Sequence, residues 1–207
     1  KCWGDNPDGQ VGDGSTTDRP TPVDVSGISN AVAVSAGGGH TCAILATGAM
    51  KCWGENWAGQ LADGTTTTPR TTPVNVSGIT NATAVATGGD HTCALLSTGA
   101  MKCWGDDSVG QLGNDASLTN QLTPVSVSGI TNAIAITAGR YHTCALLSTG
   151  AMKCWGGDGS GQVGDDSSFT NKPTPADVSG ITNAVAIGAS RYSSYAGLST
   201  GASKSWG

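Results

Sequence analysis

No stretch of this 207-residue chain is apolar for the roughly 20 residues that a membrane-spanning helix needs, so no such span is expected. Charge is also scarce. Asp, Glu, Lys and Arg together make up only 12% of the residues, about half the usual share. That excludes a fold of long, salt-bridged helices. Positive charge is the scarcer sign, with 10 Lys and Arg against 15 Asp and Glu, and the net charge of −5 argues against a nucleic-acid partner. Phenylalanine occurs once, at Phe169. There is no initiator methionine and no secretory leader at the start, so Lys1 reads as a cut or processed end.

What the chain has instead is glycine, 32 residues of it, and a repeat. Lys-Cys-Trp-Gly begins at Lys1, Lys51, Lys102 and Lys153 and returns as Lys-Ser-Trp-Gly at Lys204. Gly-Gln keeps the same beat at Gly9, Gly59, Gly110 and Gly161, and Val-Ser-Gly-Ile at Val25, Val76, Val127 and Val178. His-Thr-Cys-Ala recurs at His40, His91 and His142. One repeat cannot bury its own apolar face, so the units at 1–50, 51–101, 102–152 and 153–203, with 204–207 starting another, form a single stacked array. Each unit reads as four short strands. In the first they are Pro22–Val25, Ala31–Ser35, Thr41–Leu45 and Met50–Trp53, separated by Gly, Asn, Asp and Pro clusters. The predicted fold is all-β, with four antiparallel strands to each blade of a β-propeller. The small residues of Ala31–Ser35 suit an inner strand, where blades crowd together. Asn6 and Asp13 suit Asx turns.

The seven cysteines carry a register argument. A three-residue hairpin loop commonly ends on a left-handed glycine. Placing that loop at Ala46-Thr47-Gly48 sets Leu45 opposite Ala49, and counting back sets Cys42 opposite Cys52. The same count pairs Cys93 with Cys103 and Cys144 with Cys154. Opposed side chains lie about 4.5–5.5 Å apart at Cβ, within reach of a disulfide. Three cross-strand disulfides are therefore predicted, which implies an oxidising, extracellular or cell-surface location. Two alternatives are reduced, packed thiols and a metal set that adds the histidine two residues before each first cysteine. The metal set is one ligand short, and no Cys-x-x-Cys is present, so neither metal nor cofactor is expected. The fourth repeat loses both cysteines at once, to Tyr195 and Ser205, as bonded partners would be lost. Cys2 has no partner, because the count puts one upstream of Lys1.

These landmarks resemble the regulator of chromosome condensation repeat family. Its pattern, Gly-x-x-His-Thr-x-Ala-Leu-x-x-x-Gly followed by x-x-Trp-Gly-x-Asn-x-x-Gly-Gln-Leu-Gly, is matched closely by Gly39 to Gly64 and Gly139 to Gly164. The cysteine-bearing version resembles secreted bacterial members. The resemblance implies a seven-bladed propeller, which at this repeat length needs roughly 350 residues. Four repeats thus point to part of a longer chain or to an assembly completed by other chains. Five copies of the Lys-x-Trp-Gly strand against four of its hairpin partner leave one terminal copy over.

No catalytic constellation stands out. The histidines sit in a repeated framework position, no Gly-x-Ser-x-Gly elbow is present, and Asp5, Asn6, Asp8 and Asp13 read as turn residues rather than a calcium loop. Function is expected where the repeat is broken. Trp57 stands where Pro7, Ser108 and Gly159 stand in other units. Arg140-Tyr141 and Arg191-Tyr192 stand where Gly38-Gly39 and Gly89-Asp90 stand. With Phe169 these are the candidate interface residues, since exposed aromatics and arginines anchor interfaces. The expected function is a non-catalytic, secreted or surface module that binds protein, either another protein or itself. A structural subunit of an extracellular fibre or layer comes second, and a propeller lyase or hydrolase third.

Overall fold

The computed structural model describes residues 1–115, 118–167 and 169–207, and those residues form strands and turns with no helix. Two strands, β1 (Cys2–Gly4) and β2 (Arg19–Val23), pair first. Three four-stranded meanders follow. The first is β3 (Ala31–Ala36), β4 (His40–Leu45), β5 (Met50–Gly54) and β6 (Arg70–Asn75). The second is β7 (Ala82–Thr87), β8 (His91–Leu96), β9 (Met101–Gly105) and β10 (Gln121–Ser126). The third is β11 (Ala133–Ala138), β12 (His142–Leu147), β13 (Met152–Gly156) and β14 (Lys172–Asp177). A three-stranded sheet of β15 (Ala184–Ala189), β16 (Ser194–Leu198) and β17 (Ser203–Trp206) ends the chain. All pairings are antiparallel. Each inner strand, β3, β7, β11 and β15, contacts the inner strand of the next sheet, as in the blades of a propeller.

One expected strand is displaced. The segment foreseen at Pro22–Val25 is β2 at Arg19–Val23, and it pairs with β1 before it rather than with the strand after it. Each sheet therefore straddles a repeat boundary, and the first complete one draws strands from both 1–50 and 51–101. The outermost position explains the proline content of these strands. Pro22, Pro73 and Pro124 lack an N–H, which costs nothing on an edge that no further strand pairs with. The register between β5 and β6 also slips between Cys52 and Gly54, a bulge that bends the outer strand.

The core lies between sheets, not within them. One cluster joins Ile44, Met50 and Leu61 of one sheet and its loop to Ala94 and Trp104 of the next sheet, and two further clusters repeat the arrangement. The Gly-Gln landmark is the polar half of this joint. Gln60 O accepts from Trp104 Nε1 at 2.9 Å and from Thr92 Oγ1 at 2.9 Å. In the other units a glycine two residues after the glutamine, Gly12, Gly113 or Gly164, makes room for the indole, whereas Ala62 holds that position after Gln60. A β-carbon on Gly113 would sit 2.6 Å from Trp155 Nε1.

The histidines lock sheet to sheet. His40 Nε2 lies 2.8 Å from Thr92 Oγ1, His91 Nε2 lies 2.9 Å from Thr143 Oγ1, and His142 Nε2 lies 2.9 Å from Ser194 Oγ. Each hydroxyl already donates its single proton to a glutamine carbonyl, so the imidazole Nε2–H must be the donor. Nδ1 is then unprotonated, and in all three rings it is buried without a partner among the described residues. Burial holds the imidazoles down to about 4 for His40, about 3 for His91 and about 4 for His142. They are neutral framework groups. The rings press on Gly88 and Gly139, where any β-carbon would overlap them.

Cys42–Cys52, Cys93–Cys103 and Cys144–Cys154 are disulfide-bonded, each with Cα atoms 4.1 Å apart. Leu45 N donates to Ala49 O across the hairpin, which makes every second pair from there hydrogen-bonded and leaves Cys42–Cys52 in a non-hydrogen-bonded site. Those are the closer-spaced pairs of an antiparallel ladder, where facing sulfurs meet. Tyr195 and Ser205 occupy the same pair in the last sheet. Cys2 is a free thiol, half-buried, and burial pushes it up from its ordinary value.

Candidate functional site

Each inner strand hands over to the second strand of its sheet through a short loop at one end of the array. In the first two sheets these loops are bare: Gly37-Gly38-Gly39, then Gly88-Gly89-Asp90. In the next two they carry Arg140-Tyr141 and Arg191-Tyr192. Backbone bonds stitch the loops edge to edge. Gly38 N donates to Gly88 O at 3.1 Å, Gly89 N to Arg140 O at 3.1 Å and Arg140 N to Arg191 O at 3.2 Å. Glycine permits the approach, since a β-carbon on Gly38 would lie 2.7 Å from Gly89 O.

The loops surround a cavity of about 650 Å³. Its walls include Glu55 and Trp57, from the loop after β5, with Asp90, Arg140 and Arg191. The framework that repeats from unit to unit supplies the floor and Glu55, and the residues that break the repeat supply the other charges and the indole. A steric exchange fixes the wall. The Glu55 carboxylate covers Gly39, so that position has no room for a side chain. In the third sheet the exchange is reversed, with Tyr141 large and Gly157 small against it.

The charges are sorted by side. Glu55 is raised from its ordinary value by burial, with the charges of Asp90 and Asp8 adding to it. Asp90 is also raised by burial, with Asp106 adding and Arg140 and Trp57 opposing. Arg140 and Arg191 lie instead over aromatic rings, with Cζ 5.0 Å from the Tyr141 centroid and 5.1 Å from that of Tyr192. None of these four charged groups is in an ion pair within the described residues. The pairs that do form are Asp24–Lys1, Asp13–Arg19, Asp63–Arg70, Asp177–Lys153 and Asp165–Lys172. Lys51, Lys102, Asp5 and Asp8 also lie outside these pairs, so what sets the mouth apart is that four such charges line one cavity.

Of the six candidate interface residues, Trp57, Arg140 and Arg191 line this cavity. Tyr141 and Tyr192, with ring centroids 6.4 Å apart, line a neighbouring cavity of about 380 Å³ beside Asn171. Phe169 lines neither. It is 71% exposed, and its ring edge lies against Gly161. Sequence reasoning did not select Glu55 or Asp90 for this site. Asp90 had a signal, as the one charged residue in a column otherwise held by Gly39, Tyr141 and Tyr192. Glu55 had none, because Asp5 and Asp106 share its column. Asx geometry holds at Asp13, whose Oδ1 accepts from Ser15 N at 3.0 Å. Asn6 instead clamps its whole loop, accepting from Val11 N at 2.9 Å while Nδ2 donates to Ser15 O and Thr17 O. Among the described residues no group of three or more His, Cys, Asp or Glu is placed to hold a metal. No helix is long and apolar enough to cross a membrane.

This arrangement has known counterparts. The ultraviolet-B receptor UVR8 of Arabidopsis thaliana is 34% identical over 168 residues, which span 78% of this chain and 38% of that protein. The crystal structure of human WBSCR16 superposes with a TM-score of 0.84 at 20% identity, over 100% of this chain and 57% of the other. Prp20p from Saccharomyces cerevisiae, whose structure was described with its binding to Gsp1p and histones, gives 0.79 at 18% identity over 91% and 49%. In all three the chain spans less than two thirds of the relative's length, so its sheets correspond to part of each of those proteins. The regulator of chromosome condensation (RCC1) repeat matches residues 2–44, 48–95 and 99–146, and a second form of the repeat matches 31–60, 82–111 and 133–162. With the blade order, the Gly-Gln joint and the His-Thr lock already in place, these matches establish that the chain belongs to the RCC1 repeat family.

Proposed function

We propose that this chain is a non-catalytic protein-binding module that works in an oxidising, extracellular or cell-surface setting and engages its partner through the charged mouth. One observation carries this reading. Three of the six residues that depart from the repeat, Trp57, Arg140 and Arg191, line one cavity with Glu55 and Asp90, and its four charged groups have no ion-pair partner among the described residues. A framework built only for stability would keep its symmetry. The three disulfides support the setting. The absence of a reactive role supports binding rather than turnover, because the buried histidines are neutral and engaged between sheets. Prp20p, which shares the fold, binds proteins.

The test is a photo-crosslinking residue placed at position 57, compared with one placed at position 169, in protein exposed to the source's extracellular material. A protein cross-linked from 57 and not from 169 is the expected result. Capture from 169 alone would move the site off the mouth. Alkylation of freshly isolated protein tests the setting, with six protected cysteines expected and six alkylated ones contradicting it.

A further inference from the structure

The mouth is not merely polar. Its two sides differ in sign, and they differ in what accompanies the charge. On the side of the first two sheets, two carboxylates, Glu55 and Asp90, are accompanied by the Trp57 indole, 48% exposed. On the side of the last two, Arg140 and Arg191 are each backed by a tyrosine ring. Carboxylates beside an open indole face are a site for an organic cation, which gains from both charge and the ring quadrupole. Guanidiniums held in place by stacking are a site for a carboxylate.

We propose that the mouth receives a linear peptide segment of the partner, whose lysine or arginine side chain enters between Trp57, Glu55 and Asp90 while a nearby acidic residue of the same segment meets Arg140 and Arg191. This rests on the mouth being the binding site. Three observations favour a peptide of mixed charge over other occupants. A volume of about 650 Å³ is in the range that takes a few side chains rather than a folded domain. The lining runs across four neighbouring loops, from Gly37 and Gly38 to Ser190 and Arg191, which suits an extended segment. Glu55 and Asp90 lie inside the same cavity as the arginines and would repel a phosphate backbone or a purely acidic ligand. An inserted cation also offsets the burial that raises both Glu55 and Asp90.

The experiment selects a displayed library of random linear heptapeptides on the folded protein. Parallel selections use the Glu55→Gln/Asp90→Asn and Arg140→Gln/Arg191→Gln variants, with thermal melting confirming that each is folded. The expected result is enrichment of peptides carrying a basic residue close to an acidic one. Representative peptides should lose about tenfold in affinity on either double variant. Replacing the peptide's basic residue with norleucine should abolish the effect of the Glu55/Asp90 variant and no other. Enriched peptides that need the arginines but contain no basic residue would overturn the inference while leaving the mouth as a binding site. Enrichment indifferent to both variants would overturn the inference and the proposed function together.

Discussion

At the scale of single residues, the repeat offers its own controls. Asn6 and Asn56 hold their loops by giving amide protons to backbone carbonyls, Asn56 Nδ2 reaching Thr65 O at 3.0 Å. In the third unit the same position is Asp107. Its Oδ1 keeps the bond from Leu112 N at 3.0 Å, but Oδ2 is buried with no partner among the described residues. Burial pushes this carboxyl up to about 6, with Asp106 adding to the shift. A carboxyl raised on folding stabilises the protein below its unfolded value of about 4, and that stability is lost as pH rises to about 6. Asp107→Asn restores a donor. It should raise stability at neutral pH by about 1 kcal/mol and remove this loss between pH 4 and 6. Denaturant unfolding at pH 4 and pH 7 measures both, and an unchanged or lowered midpoint at pH 7 would contradict the assignment.

At the scale of the element, two devices hold the sheets, and they differ in how visible they are from sequence. The disulfides were readable because a hairpin has a fixed register. Once Gly48, Gly99 and Gly150 are placed as left-handed loop ends, with φ of 81°, 81° and 83°, the cysteine pairing follows by counting. Each bridge closes a short loop and should contribute roughly 2–3 kcal/mol. Cys93→Ala with Cys103→Ala should therefore lower the melting temperature by several degrees, roughly 2–4 °C per kcal/mol at this size. The double variant should also lose one third of the reductant-sensitive shift. Indifference of the wild-type melting temperature to reductant would contradict the bridges.

The outer strand was only partly readable, for the converse reason: the segment foreseen at Pro22–Val25 overlaps β2, but its bounds and its pairing with β1 were missed. β2 and its equivalents are proline-rich edge strands with a register slip, so they carry no alternation and no fixed loop to count from. The His-Thr lock was half readable. The repeat marked His40, His91 and His142 as framework, but only the three-dimensional fold brings each to a hydroxyl 52 residues away. These histidines set the acid limit. A histidine lowered on folding contributes stability that is present above its unfolded value near 6.5 and is lost as pH falls toward its folded value. Three such groups, at about 4, about 3 and about 4, give a slope approaching 4 kcal/mol per pH unit below pH 6. Asp107 opposes this with one group of opposite sign. The melting temperature should accordingly hold from pH 8 to 6.5 and fall steeply by pH 4.5. A flat profile to pH 4.5 would mean that the imidazoles are not buried neutral.

At the scale of the whole molecule, the array separates two jobs. Among the repeated residues, Trp, Gly-Gln and His-Thr join each sheet to the next, and the cysteine pairs tie adjacent strands within a sheet. Three departures from the repeat, Trp57, Arg140 and Arg191, meet where the loops of four sheets border a common cavity. Sequence found Trp57, Arg140 and Arg191 by looking for broken symmetry, but could not show that residues up to 134 positions apart share one wall. Glu55 escaped because an acidic residue is ordinary at its position, and only the closure of the loops onto Gly39 turns it inward. The most direct measurement is a titration of the cross-linked partner against wild type, Arg140→Glu/Arg191→Glu and Phe169→Ala, each checked for an unchanged melting temperature. The account predicts at least about tenfold weaker binding for the double charge reversal and wild-type binding for Phe169→Ala. Wild-type affinity in the charge-reversed protein, with the loss appearing at Phe169→Ala instead, would contradict it.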